Sequence, residues 1–198
     1  MKPSALSGRL LPSVPQFKSN PGRRLLGAFI DLCGWKLVGE FPDVPRAVLI
    51  AAPHSSWWDG VWGLSIKTAI GIDVSFMGKR GLFVGPLGWL LRRLGGIPVE
   101  RGATHGVVEQ MSERLRQADS LWIGLSPEGT RKRVDKWRTG FWHIARAADV
   151  PIVLVYFHYP ERTIGVGPLF FTTADVDADM QRLREFYAPW RGKNRGID

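Results

Sequence analysis

Residues 47–60 read AVLIAAPHSSWWDG, and this stretch predicts the fold as well as a candidate site. The apolar run 48–52 has the length and the β-branched content of a buried strand. Pro53 ends the strand because proline has no N–H for the sheet, and Ser56 is a good N-cap for a following helix. A buried strand that leads directly into a helix is typical of an α/β fold, with polar residues at the carboxyl end of the strand.

His54 and Asp59 lie in this junction at a spacing that one regular helix would not bring together, since residues i and i+5 point about 140° apart. If His54 precedes the helix, however, the two side chains can meet. A carboxylate that accepts a hydrogen bond from one imidazole nitrogen fixes the tautomer and leaves the other nitrogen free to take a proton. The pair then predicts a general base with its orienting acid. In the alternative, Asp59 only completes a capping box begun by Ser56, and His54 is a hydrogen-bonded core histidine.

The composition of the 198-residue chain predicts one folded domain with a substantial core, because 44% hydrophobic and 23% charged residues are ordinary values. The formal net charge of +9 predicts an anionic partner: phospholipid headgroups, an acidic carrier protein, a phosphorylated substrate or nucleic acid. Nine tryptophans among many cations suit a bilayer interface or fill the core. The one cysteine, Cys33, excludes an internal disulfide and indicates a reducing, cytosolic setting. We expect neither a membrane-spanning helix nor a signal peptide.

The N-terminal region is predicted to have two parts. Residues 1–22 contain several prolines and serines and no acid, which predicts a flexible basic arm. Apolar residues then recur at helical spacing to Val38, and we assign 23–40 to an amphipathic helix. Arg23 and Arg24 oppose the dipole at the start of this helix, which favours a helix that lies on anionic lipid. An ordinary helix packed on the domain has the same apolar spacing.

The remaining residues, 41–198, alternate short apolar strands with helical segments, and together with the N-terminal helix they are expected to form a single domain, 23–198. This alternation predicts an α/β core with a largely parallel central sheet flanked by helices. The predicted strands cover 48–52, 74–77, 97–99, 121–125, 151–159 and 162–166. In such sheets a ligand lies beyond the carboxyl ends of the strands, where His54 and Glu128 both fall.

A second candidate site follows the strand 121–125 and reads SPEGTR over 126–131. Gly129 lets the backbone approach a ligand closely, and Arg131 offers a bidentate fork for an oxyanion. Four further cations make the neighbourhood strongly positive: Lys132, Arg133, Lys136 and Arg138. The segment is either a phosphate-binding loop or a basic surface loop with a tight turn.

Four segments, taken in order, resemble the four sequence blocks of the glycerolipid acyltransferases, whose best-known members are 1-acylglycerol-3-phosphate acyltransferases. They read PHSSWWD, GKRGLFVGPLGWLLRRLGGIPVER, SPEGTR and VPIVLV, and they lie within residues 48–158. The tail, with Gly165, Gly167 and Phe186, resembles a compact bacterial branch of the family. The resemblance implies the glycerol-3-phosphate acyltransferase-like α/β fold and an enzyme of phospholipid biosynthesis.

The same resemblance implies a mechanism for the first block. His54 would be the general base that deprotonates the acceptor hydroxyl, and Asp59 would orient it. The hydroxyl would then attack the thioester of an acyl-CoA or of an acyl carrier protein. The family pattern involves no covalent acyl-enzyme, no metal and no other cofactor.

The other blocks imply residues that bind substrate. The third block implies acceptor binding by Glu128, Gly129, Thr130 and Arg131, with Arg131 on the acceptor phosphate. Lys79 and Arg101 match basic positions of the second block and are expected to bind the same phosphate. The apolar segment 82–94 is expected to line or cover a tunnel for the acyl chain.

Three positions differ from the residues that are common in the family: Pro53 replaces Asn, Glu100 replaces Asp and Leu154 replaces Pro. These differences leave the identity of the acceptor open. We expect an acyltransferase with a lysophosphatidate-like acceptor, peripheral on the cytoplasmic, inner face of the cell membrane. The alternatives are the same chemistry on another lipid or alcohol, and a non-catalytic protein that binds anionic membranes. No nucleic-acid module is recognised, so nucleic acid is not an expected partner.

Overall fold

Seven strands and six α-helices form within the residues that the computed structural model describes, which are 10–17, 22–99 and 104–196. In chain order they are α1 (Gly22–Leu32), β1 (Lys36–Val38), β2 (Arg46–Ala52), α2 (Trp57–Ile70), β3 (Val74–Lys79), the short 3₁₀ helix Arg80–Leu82, α3 (Gly85–Arg93), β4 (Gly96–Val99), α4 (Thr104–Gln117), β5 (Leu121–Leu125), α5 (Gly140–Ala148), β6 (Ile152–His158), β7 (Thr163–Phe170) and α6 (Val176–Tyr187). None of these helices combines the length and the apolarity needed to cross a membrane.

The seven strands join one sheet in the order β1-β7-β6-β2-β5-β3-β4. Neighbouring strands are parallel except for β6 and β7, which form an antiparallel pair. β2 lies in the middle, with Leu49 opposite Gly124 of β5 and Val153 of β6. Because β2, β5 and β6 run in the same direction, the residues that follow each of them meet at one edge of the sheet. The predicted α/β fold with a largely parallel sheet is therefore confirmed.

Apolar side chains cover both faces of the sheet, as parallel strands require. α1 and α2 pack on one face through Ile30, Trp62 and Ile66. α4, α5 and α6 pack on the other face, where the fully buried side chains include those of Met111, Leu115, Phe141 and Tyr187. Two helical layers around a central sheet hold β2 rigidly in place, together with the loop that follows it.

The N-terminal helix is shorter than the predicted 23–40. α1 ends at Leu32, and Gly34 adopts a φ of 73°. The N–H of Trp35 then donates to the carbonyl of Ile30 at 3.1 Å, a bond that the Schellman motif makes around a left-handed glycine. Residues 36–38 continue as β1, parallel to β7. The glycine stop signal at position 34 therefore outweighed the apolar spacing beyond it.

The predicted basic arm, 1–22, lies partly outside the described residues, which begin at Leu10 and have a gap at 18–21. In the described part, Val14 is buried, and Gln16 forms an isolated bridge with Ile72. Residues 10–17 therefore pack on the domain rather than extend away from it.

Candidate active site

The junction between β2 and α2 has the capping geometry that the sequence predicts. β2 ends at Ala52, directly before Pro53. Ser56 has an extended backbone and is the N-cap of α2, and its Oγ accepts a hydrogen bond from the N–H of Trp58 at 3.2 Å. The carboxylate of Asp59 accepts a hydrogen bond from the N–H of Ser56 at 2.7 Å, which completes the capping box. His54 therefore precedes the helix, as the general-base hypothesis requires.

His54 and Asp59 do meet. The Nδ1 atom of His54 lies 3.2 Å from Oδ2 of Asp59, whose side chain is 1% exposed, while the histidine side chain is 29% exposed. Oδ2 also accepts the N–H of Ser55 at 2.7 Å. Capping and orientation are thus not alternatives, because one carboxylate oxygen performs both tasks. Among the described residues nothing bonds to the other ring nitrogen of His54, Nε2, so it can take a proton.

The charge of Asp59 is maintained by its neighbours. Burial alone would raise the pKa of this carboxyl, but hydrogen bonds from His54, from the phenol of Tyr159 and from the backbone of Ser56 hold the pKa below its ordinary value. Asp59 is therefore ionised at neutral pH. An ionised carboxylate at this position stabilises the imidazolium that forms when His54 takes a proton.

Glu128 lies behind His54 rather than in the open part of the site. Its side chain is buried, and Oε2 accepts the backbone N–H of His54 at 2.7 Å. Burial raises the pKa of Glu128 to about 7, although the hydrogen bond from His54 and the charge of Arg195 oppose the rise. The described contacts of Glu128 are made within the protein, and they hold the junction that carries His54.

The rest of the SPEGTR loop turns tightly beside α2. Gly129 has a φ of 63°, and a Cβ atom added there would lie 2.9 Å from the side chain of Arg138, so the residue requires glycine for both reasons. Thr130 accepts the N–H of Lys132 through its Oγ1 at 3.3 Å. The guanidinium of Arg131 stacks on the ring of Trp57, 3.5 Å from the ring centroid. This contact holds Arg131 at the first turn of α2, the helix that carries Asp59.

Of the two basic residues that the second block implies, only Lys79 lies within the described residues. Lys79 is the exposed last residue of β3, and it lies at the same edge of the sheet as His54 because the strands are parallel. No described contact joins Lys79 to His54 or to Arg131. Arg101, which the resemblance assigns to the same phosphate, lies outside the described residues.

A broad, open cavity of about 1770 Å³ adjoins this edge of the sheet. His54, Trp57 and Arg131 are part of its lining, which is otherwise mostly apolar. The segment 82–94 contributes Leu82, Phe83, Leu87, Leu90, Leu91 and Leu94. An apolar cavity with a polar, cationic mouth is suited to a ligand that has a long hydrocarbon part and an anionic part.

Sequence reasoning missed two groups of residues at the site. The phenol of Tyr159 donates to Oδ1 of Asp59 at 2.6 Å, and a signal for it existed, since Tyr159 follows a buried strand at the predicted ligand edge. The second group is the segment 191–196 after α6. It bonds to Ser55, His54 and Glu128, and no local sequence pattern points to it.

The fold and the site define a class of protein: an α/β protein whose polar site lies at the carboxyl edge of a parallel sheet, beside an apolar cavity. A model of the acyltransferase family matches residues 40–158, and the chain belongs to this family. The resemblance of the four sequence blocks to the glycerolipid acyltransferases is thus confirmed.

The fold is similar to that of the crystal structure of the 1-acyl-sn-glycerophosphate (LPA) acyltransferase PlsC from Thermotoga maritima. The TM-score is 0.56 at 17% sequence identity, and the match covers 86% of this chain and 80% of that one. At this level of identity the likeness shows the fold. No curated protein matches the chain.

Proposed function

We propose that the protein transfers a fatty acyl group from an acyl thioester to the hydroxyl of a lysophosphatidate-like acceptor, with His54 as the general base. The observation that carries this proposal is the 3.2 Å contact between Nδ1 of His54 and Oδ2 of the buried Asp59. Membership of the acyltransferase family and the fold shared with PlsC, a 1-acyl-sn-glycerophosphate acyltransferase, support the reaction class.

In the proposed reaction, Asp59 accepts a hydrogen bond from the Nδ1–H group of His54 and so leaves Nε2 as the base. As the acceptor hydroxyl attacks the carbonyl carbon of the thioester, its proton passes to Nε2. A new C–O ester bond forms, the C–S bond breaks, and the departing thiolate takes the proton back from the imidazolium. Acid–base catalysis of this kind contributes roughly 10²–10⁴ in rate. The acyl group passes directly between the substrates, and no step requires a metal or another cofactor.

The cations at the mouth of the cavity are proposed to bind the phosphate of the acceptor. The stack on Trp57 restrains the guanidinium of Arg131, and Arg131 lines the same cavity as His54. Lys79 is exposed at the same edge and adds a second charge. The acyl chain of the donor would occupy the apolar cavity beside α3. The basic residues 131–138 suit the phosphate groups of either an acyl-CoA or an acyl carrier protein.

We further propose that the protein acts peripherally on an anionic membrane, on the cytoplasmic face. Three helices present large apolar side chains to solvent: Leu25, Phe29 and Leu32 on α1, Trp57, Trp58 and Val61 on α2, and Leu87, Trp89 and Leu90 on α3. The α1 and α2 sets adjoin, since Phe29 and Trp58 both stack on Trp62. Exposed cations flank these side chains, including Arg24 and Arg93. Apolar and aromatic residues beside cations are typical of an interfacial surface.

The experiment that tests the reaction is thiol release from palmitoyl-CoA, with and without lysophosphatidate. We expect release that requires the acceptor and that His54→Ala lowers by roughly 10²–10⁴. Circular dichroism of the purified variant verifies that it is folded, so that a loss of activity reports on the base. Release that needs His54 but no acceptor would indicate thioester hydrolysis, and wild-type turnover in His54→Ala would refute the mechanism. If palmitoyl-CoA yields no thiol, the same comparison with an acylated acyl carrier protein as donor tests the proposed acyl transfer.

A further inference from the structure

The segment that follows α6, residues 191–196, folds back against the junction that carries His54, and we call it the C-terminal segment. Its Asn194 donates from the backbone N–H to Oγ of Ser55 at 3.1 Å and from Nδ2 to the Ser55 carbonyl at 2.7 Å. A Cβ atom added at Gly192 would lie 2.5 Å from the same Oγ. The C-terminal segment is therefore in close contact with the residue next to His54.

Arg195 is the residue of this segment that reaches the catalytic residues. Its side chain is 16% exposed, and its NH2 group donates to the carbonyl of Lys132 at 2.8 Å. Longer contacts of 3.5 Å join NH2 to the carbonyl of His54 and NH1 to Oε1 of Glu128. One guanidinium thus contacts both loops of the site, the junction after β2 and the SPEGTR loop after β5.

Arg195 also has an electrostatic role that no other described residue shares. The titratable groups that act on Glu128 are Arg195, His54 and Asp59. Of these three, Arg195 alone carries a permanent positive charge. A buried carboxylate with no compensating cation would be driven toward its protonated form, and it would then lose the charge-assisted part of its bond to the His54 N–H.

We propose that Arg195 is a positioning residue for His54: its guanidinium joins the two loops and keeps Glu128 an effective acceptor for the backbone N–H of His54. Arg195 contacts the carbonyl of His54 and not its ring, so it acts on the base only through the backbone and through Glu128. This proposal rests on the proposed function, in which His54 is the general base.

The first test is the kinetics of Arg195→Gln. We expect kcat for acyl transfer to fall by roughly 10- to 100-fold, because small displacements of a catalytic group have effects of this size. KM for the acceptor should stay near the wild-type value, because the bonds of Arg195 are made within the protein. The acidic limb of the pH–kcat profile should also move to higher pH, since Glu128 would lose the cation that opposes its protonation.

The second test is a double-mutant cycle with Glu128→Gln. If Arg195 acts through Glu128, the double variant should be about as active as Glu128→Gln alone. If the losses of kcat in the two single variants add up in the double variant, Arg195 does not act through Glu128. Arg195→Lys keeps the charge and should recover a large part of kcat, and it serves as the test variant if Arg195→Gln does not fold.

The matched control is Arg46→Gln. Arg46 also donates from its guanidinium to two backbone carbonyls, those of Leu115 and Arg116, but it lies at the amino end of β2, away from His54. We expect this variant to keep its kcat, and an equal fall in both arginine variants would show that the effect is only structural. An inactive wild-type protein would count against the proposed function. An active wild-type protein with an unaffected Arg195→Gln variant would overturn this inference alone.

Discussion

The phenol of Tyr159 donates a hydrogen bond to Oδ1 of Asp59 at 2.6 Å, although the two residues lie 100 positions apart in the chain. The other oxygen, Oδ2, faces His54 and the N–H groups of Ser55 and Ser56. Both oxygens of the buried carboxylate are therefore occupied, which restricts the orientation that Asp59 imposes on the imidazole. The Tyr159 ring packs perpendicular to the ring of Trp35, with 4.9 Å between the centroids, so the phenol is itself held in place.

Removal of this phenol tests its contribution to catalysis. A hydrogen bond to a charged group contributes about 1.5–3 kcal/mol, so Tyr159→Phe should lower kcat by at most roughly 10- to 150-fold. The fall should stay below this limit because the remaining partners of Asp59 persist. The pH–kcat profile of the purified variant is the measurement. Tyr156→Phe is the control, since the Tyr156 ring stacks on Trp190 instead. A kcat that Tyr159→Phe leaves unchanged would contradict this role.

Substitution of the orienting acid should cost less than loss of the base. Asp59→Asn keeps an oxygen that can accept the N–H groups of Ser55 and Ser56, so α2 stays capped. It loses the charge that stabilises the imidazolium, so we expect a large fall in kcat that is still smaller than the fall in His54→Ala. Steady-state rates of the two variants, with circular dichroism to verify folding, make the comparison. An equal or larger loss in Asp59→Asn would count against this division of roles.

Arg131 provides a test of the acceptor class. Arg131→Ala should raise KM for lysophosphatidate by roughly 10- to 100-fold, the range expected when a hydrogen-bonded charge contact to phosphate is lost. Turnover of a phosphate-free lipid alcohol should not change. Arg114→Ala is the control, because Arg114 is an exposed cation of α4, outside the basic residues 131–138. If Arg131→Ala affects both acceptors equally, the acceptor phosphate does not bind at Arg131.

The raised pKa of Glu128 predicts how stability depends on pH. The folded protein holds a proton on Glu128 up to about pH 7, whereas the unfolded chain releases it near its ordinary value of 4.5. The free energy of unfolding of the wild type therefore loses a contribution as the pH rises through this window. Asp59 has the opposite effect. Its pKa is lowered in the folded protein, so its contribution to the free energy of unfolding is lost as the pH falls.

Glu128→Gln isolates this contribution. The free energy of unfolding of Glu128→Gln minus that of the wild type should increase by up to about 3 kcal/mol as the pH rises from 4.5 to 7. Urea unfolding followed by tryptophan fluorescence at several pH values across this range measures the difference. A difference that stays constant or decreases with pH would mean that Glu128 has no raised pKa in the folded protein.

The proposed membrane surface can be tested without disturbing the core. Deletion of residues 1–38 would remove Ile30 and Trp35, which are buried, so point substitutions are preferable. Leu25→Glu with Leu32→Glu places charge at two side chains that are 76% and 86% exposed, and it should weaken sedimentation with vesicles that contain phosphatidylglycerol. Phe171→Glu is the control, because Phe171 is also exposed but follows β7 at the opposite edge of the sheet. Equal sedimentation of all three proteins would refute the membrane role of α1.

The sequence alone determined the features that depend on neighbouring residues. The strand before Pro53 and the cap at Ser56 were predicted from a few positions each, because turn and cap preferences are local properties of the backbone. The stop at Gly34 is equally local, but the prediction of a helix over 23–40 missed it. The alternation of strands and helices then predicted a parallel sheet, and a parallel sheet brings His54 and Glu128 to one edge. The fold and the centre of the site were therefore predictable.

Only the tertiary structure decided which distant residues complete that centre. Tyr159 and Arg195 contact the site from 100 and 141 positions beyond Asp59 and His54, and the spacing of residues encodes no contact at such separations. β1 likewise exists because β7 pairs with it, since three residues do not form a strand by themselves. Glu128, which the sequence assigns to the acceptor, accepts the His54 N–H because the packing of β2 beside β5 places the two loops against each other.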